Sequence, residues 1–362
     1  MWRTLAAALL AGLIASPAAA DAPPDPAALA AAVDGAIEHM IAPAYRSFAE
    51  AATTARTRIG ALCAAPSADA SAMARDGFAG AVIAFAAIEP FRFGPARRDN
   101  RFERLFFWPD RRSRGFRQVV DVIRTEDESA AAPATLEAKS VAVQGLPALD
   151  YVLAGRGSET LATAPVGFRC AYAKALGARI ETVAQALSAE WSGPFAGVVR
   201  AAGPDNPIYR SHAEALQALL SAAREMLTVV ADLKIRGVLG EGGERARPEA
   251  APFAQSGLGL AETRANVEAV QALIEAMDLA KALPEDEPSL ASEISFQIEQ
   301  GASALRDAER IGGDWQGVAD SAEARDRAAY AALALGYAAD ILRDRLPAAL
   351  GMIAGFNSLD GD

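Results

Sequence analysis

The chain has 362 residues, with 46 acidic against 35 basic side chains and a formal net charge of −11. An acidic chain without a basic stripe is a poor candidate for binding nucleic acid or an anionic membrane surface, although it is compatible with cationic partners such as metal ions. The length exceeds what one core usually holds and suggests two domains.

The first 20 residues have the form of a secretory signal peptide. Arg3 precedes an apolar stretch from Leu5 to Ile14, and small residues at 18–20 match a cleavage site. The apolar core is far shorter than the roughly 20 residues of a membrane span, and no later stretch of that length is free of charge. We therefore predict an exported protein, periplasmic or otherwise secreted, that is soluble after cleavage and has no membrane span.

The predicted mature chain contains two cysteines, Cys63 and Cys170. An even pair in an oxidising compartment predicts a disulfide. In the chain-entropy model such a long closed loop contributes about 4 to 5 kcal/mol, less any strain. The alternative is a pair of buried free thiols.

Apolar residues recur at spacings of three and four along most of the chain, and strand signals are nearly absent. Such single stripes are typical of amphipathic helices, and the high alanine content favours helix formation and close packing. The sequence therefore predicts an all-α fold of helical bundles. In the second half, the first of these stripes consists of Leu216, Leu219, Ala223, Met226, Val230 and Leu233.

Two breaks interrupt the helical pattern in the second half of the chain. The segment 203–210 is rich in Pro, Asp and Asn, and the segment 237–257 is polar and rich in Gly and Pro, so both are predicted loops. We place a domain boundary near the first of them, between an N-terminal bundle (21–203) and a C-terminal bundle (204–362). Two similar halves would fit an old duplication, although no strong residue-level repeat is evident.

One segment, 89–119, departs from the stripe pattern and combines aromatic residues, arginines and prolines. A loop of this length is uncommon inside a compact bundle and is often functional. The alternative is that its aromatic side chains only close the end of the bundle. The candidate site residues in this segment are Glu89, Arg92, Gly94, Pro95, Asn100, Trp108 and Asp110.

Four motifs in the expected order resemble the imelysin-like family, peptidase family M75. They are "EPFRFGPARRDNRFERLFFWPD" (89–110), "QGLPALDYVLAG" (144–155), the ending "GMIAGFNSLDGD" (351–362), and the segments "ALCAAPS" and "FRCAYAKAL" around the two cysteines. The resemblance covers essentially the whole mature chain. It implies two all-helical domains with a site between them, an exported bacterial protein, a link to iron uptake, and in one member a metallopeptidase activity.

The family's G-x-H-x-x-E metal motif corresponds here to Gly145, Pro147 and Asp150, followed by Tyr151 at the aromatic position. Proline has no metal-binding atom, whereas neutral imidazole is a common zinc ligand. Proline is comfortable in the first turn of a helix, and the helix dipole would favour a carboxylate at Asp150. Asp150 is left as a weak candidate metal ligand.

The histidines do not replace the missing ligand. His39 and His212 show no paired spacing, and we expect each to be a surface or packing residue. The sequence also contains no G-x-S-x-G motif for a nucleophilic serine. We therefore predict no zinc-dependent protease activity and assign no catalytic residue.

Two pairs of candidate side chains depend on how the fold brings distant segments together. Glu89 and Asp150 could form a carboxylate pair if the fold joins them, and the alternative is ion pairs with Arg92 or another arginine. Arg264 and Asn266, in the second half, are expected to face the first half. The alternative for them is a solvated helix face.

Three functions are consistent with these observations. The first is a non-catalytic, exported imelysin-like protein that acts in iron or metal acquisition by binding a ligand or an envelope partner in a cleft. The second is an M75-type metallopeptidase with altered ligands, and the third is a structural or interaction bundle. We expect the segments 92–95, 108–110 and 145–151 to converge on the cleft, whose cofactor would be a divalent metal or iron if it holds one.

Overall fold

The structure, a computed structural model, describes residues 25–163, 167–240, 245–285 and 287–352. The predicted signal peptide and the "GFNSLDGD" ending lie outside these ranges. Within them the chain forms helices and no strand. The predicted all-α fold is therefore confirmed.

The first helical stretch runs without a break over nearly 40 residues. The side chain of Asp25 accepts a hydrogen bond from the amide of Ala27, which caps the start of this stretch. Its parts are α1 (Pro26–Gly35), a π-helical turn (Ala36–Ile41) and α2 (Ala42–Ala64).

The rest of the first half forms a bundle in which α2 packs against two later long helices, α3 (Ala68–Ile88) and α8 (Phe168–Trp191), and α7 (Gly145–Ala154) packs against both of these. A disulfide joins Cys63 on α2 to Cys170 on α8, with a Cα–Cα distance of 5.7 Å. The predicted disulfide is thus present. The helices that follow α2 are α3 (Ala68–Ile88), α4 (Arg101–Leu105), α5 (Arg114–Arg124), α6 (Pro133–Leu136), α7 (Gly145–Ala154), α8 (Phe168–Trp191) and α9 (Pro194–Arg200).

The second half forms another bundle, in which four helices pack against one another: α10 (His212–Thr228), α12 (Gly259–Met277), α13 (Leu290–Gly312) and α15 (Ala322–Asp340). The predicted loop 237–257 is mostly irregular where it is described, although a short helix, α11, opens it. The elements are α10 (His212–Thr228), a π-helical segment (Val229–Arg236), α11 (Gly237–Leu239), α12 (Gly259–Met277), α13 (Leu290–Gly312), α14 (Trp315–Asp320), α15 (Ala322–Asp340), a second π-helical segment (Ile341–Arg345) and α16 (Leu346–Ala349).

The two halves share one continuous hydrophobic core. Helix α1 packs on α10 and α12 of the second half, and α12 packs on α3 of the first half. The contacts of the first described helix therefore extend across the predicted boundary near residue 203. The division at that residue and the duplication stay predictions.

Among the described residues, only α3 is long and apolar enough to cross a membrane by length and composition. This helix carries Phe78, Val82 and Phe85, which are all buried in the core. It packs against α2, α12 and α7. Its apolar composition is therefore accounted for by its central place in the bundle.

Candidate functional site

A buried lysine lies where the two halves meet. Lys234, on the π-helical segment after α10, has no exposed surface. Its ammonium donates hydrogen bonds to Glu89 Oε2 (2.7 Å), to Asn266 Oδ1 (2.6 Å) and to Glu262 Oε1. An ammonium has three donors, so all of them are used. We call these four residues the lysine cluster.

The sequence analysis missed Lys234, although the chain carries a signal for it. Lys234 follows Met226 and Val230 at intervals of four residues and precedes Val238 by four, and these three apolar residues are buried. A lysine on such a stripe must be paired, because an isolated charge is very unfavourable in a core. The predicted stripe assigned this place to Leu233, which is only half-buried.

Glu89, at the end of α3, is held by cations on two sides. Its Oε1 accepts a hydrogen bond from Arg92 Nη2, and its Oε2 faces Lys234. Burial alone would raise the pKa of Glu89, but Lys234 and Arg92 outweigh burial and lower the pKa to about 2. Glu89 is therefore ionised, and it fixes the guanidinium of Arg92, which lies 4.6 Å from the centre of the Phe102 ring.

Glu262, on α12, is the opposite case within the same cluster. Burial raises the pKa of Glu262 well above its usual range, and the nearby Glu89 adds to this effect while Lys234 opposes it. Its Oε2 has no hydrogen-bond partner among the described residues. With Glu262 protonated, the charges of Lys234 and Glu89 cancel within the lysine cluster, and the adjoining guanidinium of Arg92 leaves a net positive charge beside it.

A cavity of about 260 Å³ lies beside the lysine cluster. The indole of Trp108 donates to the carbonyl of Ala250 (3.2 Å), and the Phe106 ring stacks between Trp108 and Phe253. Lys234 Nζ lies 5.6 Å and 5.5 Å from the Phe106 and Trp108 ring centres, so these rings separate the cavity from the cluster. The cavity is lined by Arg92, Arg97, Phe102, Glu103, Phe106, Phe107, Trp108 and Pro109.

The motif residues on α7 determine how this helix begins and packs. Gly145 has a positive φ of 74°, and a Cβ there would lie 2.4 Å from the carbonyl oxygens of Arg104 and Leu105. Glycine is therefore required where α7 begins against α4. Pro147 follows as the third residue of the helix, inside the first turn as expected.

Asp150 is buried and binds the second half of the chain. Its carboxylate accepts hydrogen bonds from the backbone amides of Gln255 (3.2 Å) and Ser256 (3.1 Å). Burial raises the pKa of Asp150 to about 6, against the opposing effect of these hydrogen bonds. Burial therefore decides the direction of the shift, and Asp150 lies in the second turn of α7, beyond the first turn where the helix dipole acts most strongly.

Glu89 and Asp150 do not form a carboxylate pair. Glu89 binds Arg92 and Lys234, whereas Asp150 binds backbone amides of the 251–257 turn. The alternative of an ion pair with Arg92 is the one that the structure shows for Glu89. The two carboxylates are linked only indirectly, because Phe253 from that turn packs on Phe106.

The path of the backbone near the cavity depends on three of the predicted site residues. Gly94 has a φ of 56°, and a Cβ there would lie 2.2 Å from the Phe195 ring. Pro95 is buried beside it. Asn100 is exposed, with a φ of 53°, at the start of α4. In the structure, these three predicted site residues therefore determine the course of the backbone.

Asp110 and Tyr151 also have structural partners. The Asp110 carboxylate accepts from the backbone amides of Arg114 and Phe116, both at 2.9 Å, which caps α5. The Tyr151 ring packs edge-on against Phe116, with 5.1 Å between ring centres. Asp110 and Tyr151 thus both contact α5, but only Arg92 and Trp108 among the candidates line the cavity, with Glu89 behind Arg92.

Asn266 faces the first half as predicted, whereas Arg264 does not. The Asn266 amide donates to the carbonyl of Ala86 (2.9 Å) and to Glu89 Oε2 (3.0 Å). The Arg264 guanidinium binds Glu268 and Glu309 within the second half. Residues two apart on an α-helix point in nearly opposite directions, so the two could not share one neighbour.

Metal donors are not gathered in the part of the chain that is described. Over those residues, no three His, Cys, Asp or Glu side chains form a group that could hold a metal ion. His39 is exposed, and the His212 ring lies 3.0 Å from the carbonyl of Arg200. Neither contributes to the cavity.

The fold and this junction site define an imelysin-type helical protein. The imelysin model, that of peptidase family M75, matches residues 41–342. The chain therefore belongs to the imelysin family, as the motifs predicted.

Two solved structures are similar to this chain. An imelysin-like protein from Psychrobacter arcticum 273-4 is 21% identical, with a TM-score of 0.74 over 92% of this chain and 100% of the other. A candidate iron-regulated protein A precursor from Parabacteroides distasonis ATCC 8503 is 16% identical, with a TM-score of 0.71 over 89% of this chain and 96% of the other. At these identities the likeness shows the fold. No curated protein matches the chain.

Proposed function

We propose that this imelysin is an exported, non-catalytic protein that acts in iron or metal acquisition by binding a small ligand in the cavity at Arg92 and Trp108. The observation that carries the proposal is a preformed cavity, lined by residues of the 92–109 segment beside the junction of the two halves, with the fixed guanidinium of Arg92 and several aromatic rings in its wall. Such a concave, largely apolar site with few polar groups is typical of ligand binding.

The lining indicates an anionic ligand with a flat, apolar body. The cavity wall contains two cationic side chains, Arg92 and Arg97, and one carboxylate, Glu103. The guanidinium group is suited to binding a carboxylate or phosphate through paired hydrogen bonds, and Trp108 and Phe106 offer aromatic faces. A volume of about 260 Å³ favours a ligand of about one ring with substituents, since drug-sized ligands need larger pockets.

The link to iron is supported by the family and by one structural neighbour. The Parabacteroides protein is described as iron-regulated, and small anionic chelators are common carriers of ferric iron. In this role the protein would hold such a chelator, free or metal-loaded, and pass it to a partner in the cell envelope.

The metallopeptidase alternative has less support from the residues. A catalytic zinc site usually takes three protein ligands with nitrogen prominent. At the motif position this chain has Pro147, and Asp150 is buried and engaged by two backbone amides. The donor set for activating a water molecule at this position is therefore not evident in the described residues.

Calorimetric titration of the mature protein tests the binding proposal. The probes are 2,3-dihydroxybenzoate, its ferric complex, and benzyl alcohol as a neutral control of similar size. We expect the anionic probes to bind and benzyl alcohol not to bind. Arg92→Gln should weaken binding about 10- to 100-fold, the loss typical of one charge-assisted hydrogen bond, and Arg92→Lys should weaken it less.

Arg264→Gln is the matched control, because it removes an arginine whose partners lie away from the cavity. Equal binding of the neutral and anionic probes, or equal loss in both arginine variants, would contradict the assignment of the ligand to this cavity. The iron role is tested separately by growth of a deletion strain under iron restriction, which should be slower than that of the parent.

A further inference from the structure

The chain is acidic overall, but positive charge is concentrated in one short segment. Residues 92–117 contain nine arginines and three carboxylates, a net charge of +6, whereas the remainder of the chain has 26 basic and 43 acidic side chains, a net charge of −17. The same segment supplies every residue that lines the cavity at Arg92 and Trp108. The charge of the protein is therefore reversed in sign around the proposed ligand site.

Four of the nine arginines in this segment are engaged within the chain. Arg92 is fixed by Glu89. Arg98 and Arg101 share one carboxylate on α8, and Arg104 donates to backbone carbonyls. The other five are exposed and have no side-chain hydrogen bond or ion pair with the described residues. We call these five the arginine surface: Arg97, Arg111, Arg112, Arg114 and Arg117.

The arginine surface adjoins the cavity at two places. Arg97 is part of the cavity lining, and so is Pro109, which precedes Arg111 by two residues. Helix α5 then begins against the cavity wall, because a Cβ at Gly115 would lie 3.0 Å from the Phe107 ring. Consecutive Cα atoms are about 3.8 Å apart, so the backbone of Arg111 lies within about one Debye length of Pro109 at physiological salt.

The carboxylates nearest to the arginine surface do not neutralise it. Asp110 caps α5 by accepting from two backbone amides, and Asp121 already has an arginine partner on the same helix. Glu103 lines the cavity itself. Helix α5 packs against residues 141–143 and α7, and the one acidic residue there, Asp150, is buried and bound to backbone amides. The arginine surface therefore keeps an excess of positive charge.

We propose that the arginine surface captures small, multiply charged anions from solution and directs them into the cavity. This inference rests on the proposed function and adds that the ligand carries at least two negative charges. Away from this segment the excess of negative charge repels an anion, and the repulsion and the local attraction both grow with the charge of the ligand. Such fields raise association rates and lose their effect as salt is added.

A small ligand fits this surface better than a membrane does. Surfaces that bind anionic lipid combine basic residues with several exposed apolar side chains. In residues 92–117 one large apolar side chain is exposed, Phe116 at 44%, and its ring packs edge-on against Tyr151. Arg97 belongs both to the arginine surface and to the cavity wall, which joins the positive charge to an enclosed site.

Stopped-flow binding measurements on the mature protein test the proposal. The probes are benzoate, benzene-1,3-dicarboxylate and benzene-1,3,5-tricarboxylate, in which the same ring carries increasing charge. Tryptophan fluorescence reports binding, since Trp108 lines the cavity. We expect the association rate constant to increase with the charge of the probe. For the tricarboxylate it should fall about tenfold or more between about 0.01 M and 0.3 M sodium chloride.

A variant without most of the arginine surface assigns the effect to these residues. It replaces the four arginines outside the cavity lining by glutamine, and the tricarboxylate should then associate about tenfold more slowly at low salt, with little change in the dissociation rate constant. The matched control removes four exposed arginines of the second half and should not slow association. The test variant carries Arg111→Gln, Arg112→Gln, Arg114→Gln and Arg117→Gln, and the control carries Arg306→Gln, Arg310→Gln, Arg327→Gln and Arg343→Gln.

The outcomes distinguish this inference from the proposed function. Binding of the probes at a rate that depends neither on their charge nor on salt would overturn capture by the arginine surface and leave the cavity as a ligand site. Equal slowing in the test and control variants would do the same. Failure of every anionic probe to bind would overturn both proposals. Binding of the wild type to phosphatidylglycerol vesicles but not to the tricarboxylate would show that the surface serves a membrane instead.

Discussion

Glu89 and Asp150 are both buried carboxylates that join the first half of the chain to the second, but they do so in opposite ways. Glu89 meets side-chain cations, and its pKa is lowered to about 2, whereas Asp150 meets backbone amides, and burial raises its pKa to about 6. The difference shows that a carboxylate position alone does not define a charged site. The groups that bind the carboxylate determine its charge. Of these two carboxylates, only Glu89 lies behind the cavity wall.

The largest expected effect comes from removing the cation of the lysine cluster. Lys234→Ala leaves Glu89 and Glu262 buried without their shared partner, and we expect a loss of about 3 to 5 kcal/mol in the free energy of unfolding. Urea unfolding followed by circular dichroism measures it. Lys281→Ala, which removes a lysine that is largely exposed, is the control. A similar small change in both variants would show that Lys234 does not hold the junction.

Removing the Asp150 carboxylate should have the next largest effect. Asp150→Ala leaves the amides of Gln255 and Ser256 without their acceptor, and we expect a loss of about 1 to 3 kcal/mol. Asp150→Asn retains one acceptor oxygen and should lose less. The same unfolding measurement applies, together with proteolysis of the 251–257 turn, which should be faster in the alanine variant. Resistance to proteolysis equal to that of the wild type would show that the Asp150 carboxylate does not hold this turn in place.

The two carboxylates should also differ in their dependence on pH. The folded state holds a proton on Asp150 up to about pH 6, against an ordinary pKa of 3.8, so its contribution is greatest below about pH 4 and is lost as the pH rises to 6. Relative to Asp150→Asn, the wild type should lose about 1 to 3 kcal/mol over that window.

Glu89 has the opposite sign. Its pKa falls from 4.5 to about 2 on folding, so its contribution is present above pH 4.5 and is lost as the pH falls towards 2. Unfolding measured at several pH values for wild type, Asp150→Asn and Glu89→Gln separates the two groups. If the stability of both variants changed with pH in the same way, the predicted difference between Asp150 and Glu89 would be wrong.

The smallest effect is expected at Arg264. Its guanidinium pairs with Glu268 and Glu309 near the surface, and such pairs contribute within about 1 kcal/mol. Arg264→Ala should therefore change stability little and leave ligand binding unchanged. A large loss of binding in this variant would show that Arg264 takes part in the ligand site, contrary to what its contacts indicate.

The all-α fold was predictable because apolar stripes are local signals, and the disulfide was predictable because the chain contains just two cysteines behind a predicted signal peptide. The site was only partly predictable, because its residues come from distant segments. Glu89 and Arg92 were identified because they lie in an irregular stretch. Asn266 was identified as a residue of the second half that was expected to face the first half. Lys234 was missed because the helical period was continued through Leu233, although a π-helical segment carries Lys234 into the core. Asp150 was assigned a dipole effect because its burial depends on a turn about 100 residues away.

The central claim is that the cavity between Arg92 and Trp108 holds a small anionic ligand, and a crystal structure of the mature protein with 2,3-dihydroxybenzoate tests it most directly. The account predicts that the carboxylate lies within hydrogen-bond distance of the Arg92 guanidinium and that the ring packs against Trp108 or Phe106. A probe bound elsewhere, or a metal ion held at Asp150 with the cavity empty, would contradict it.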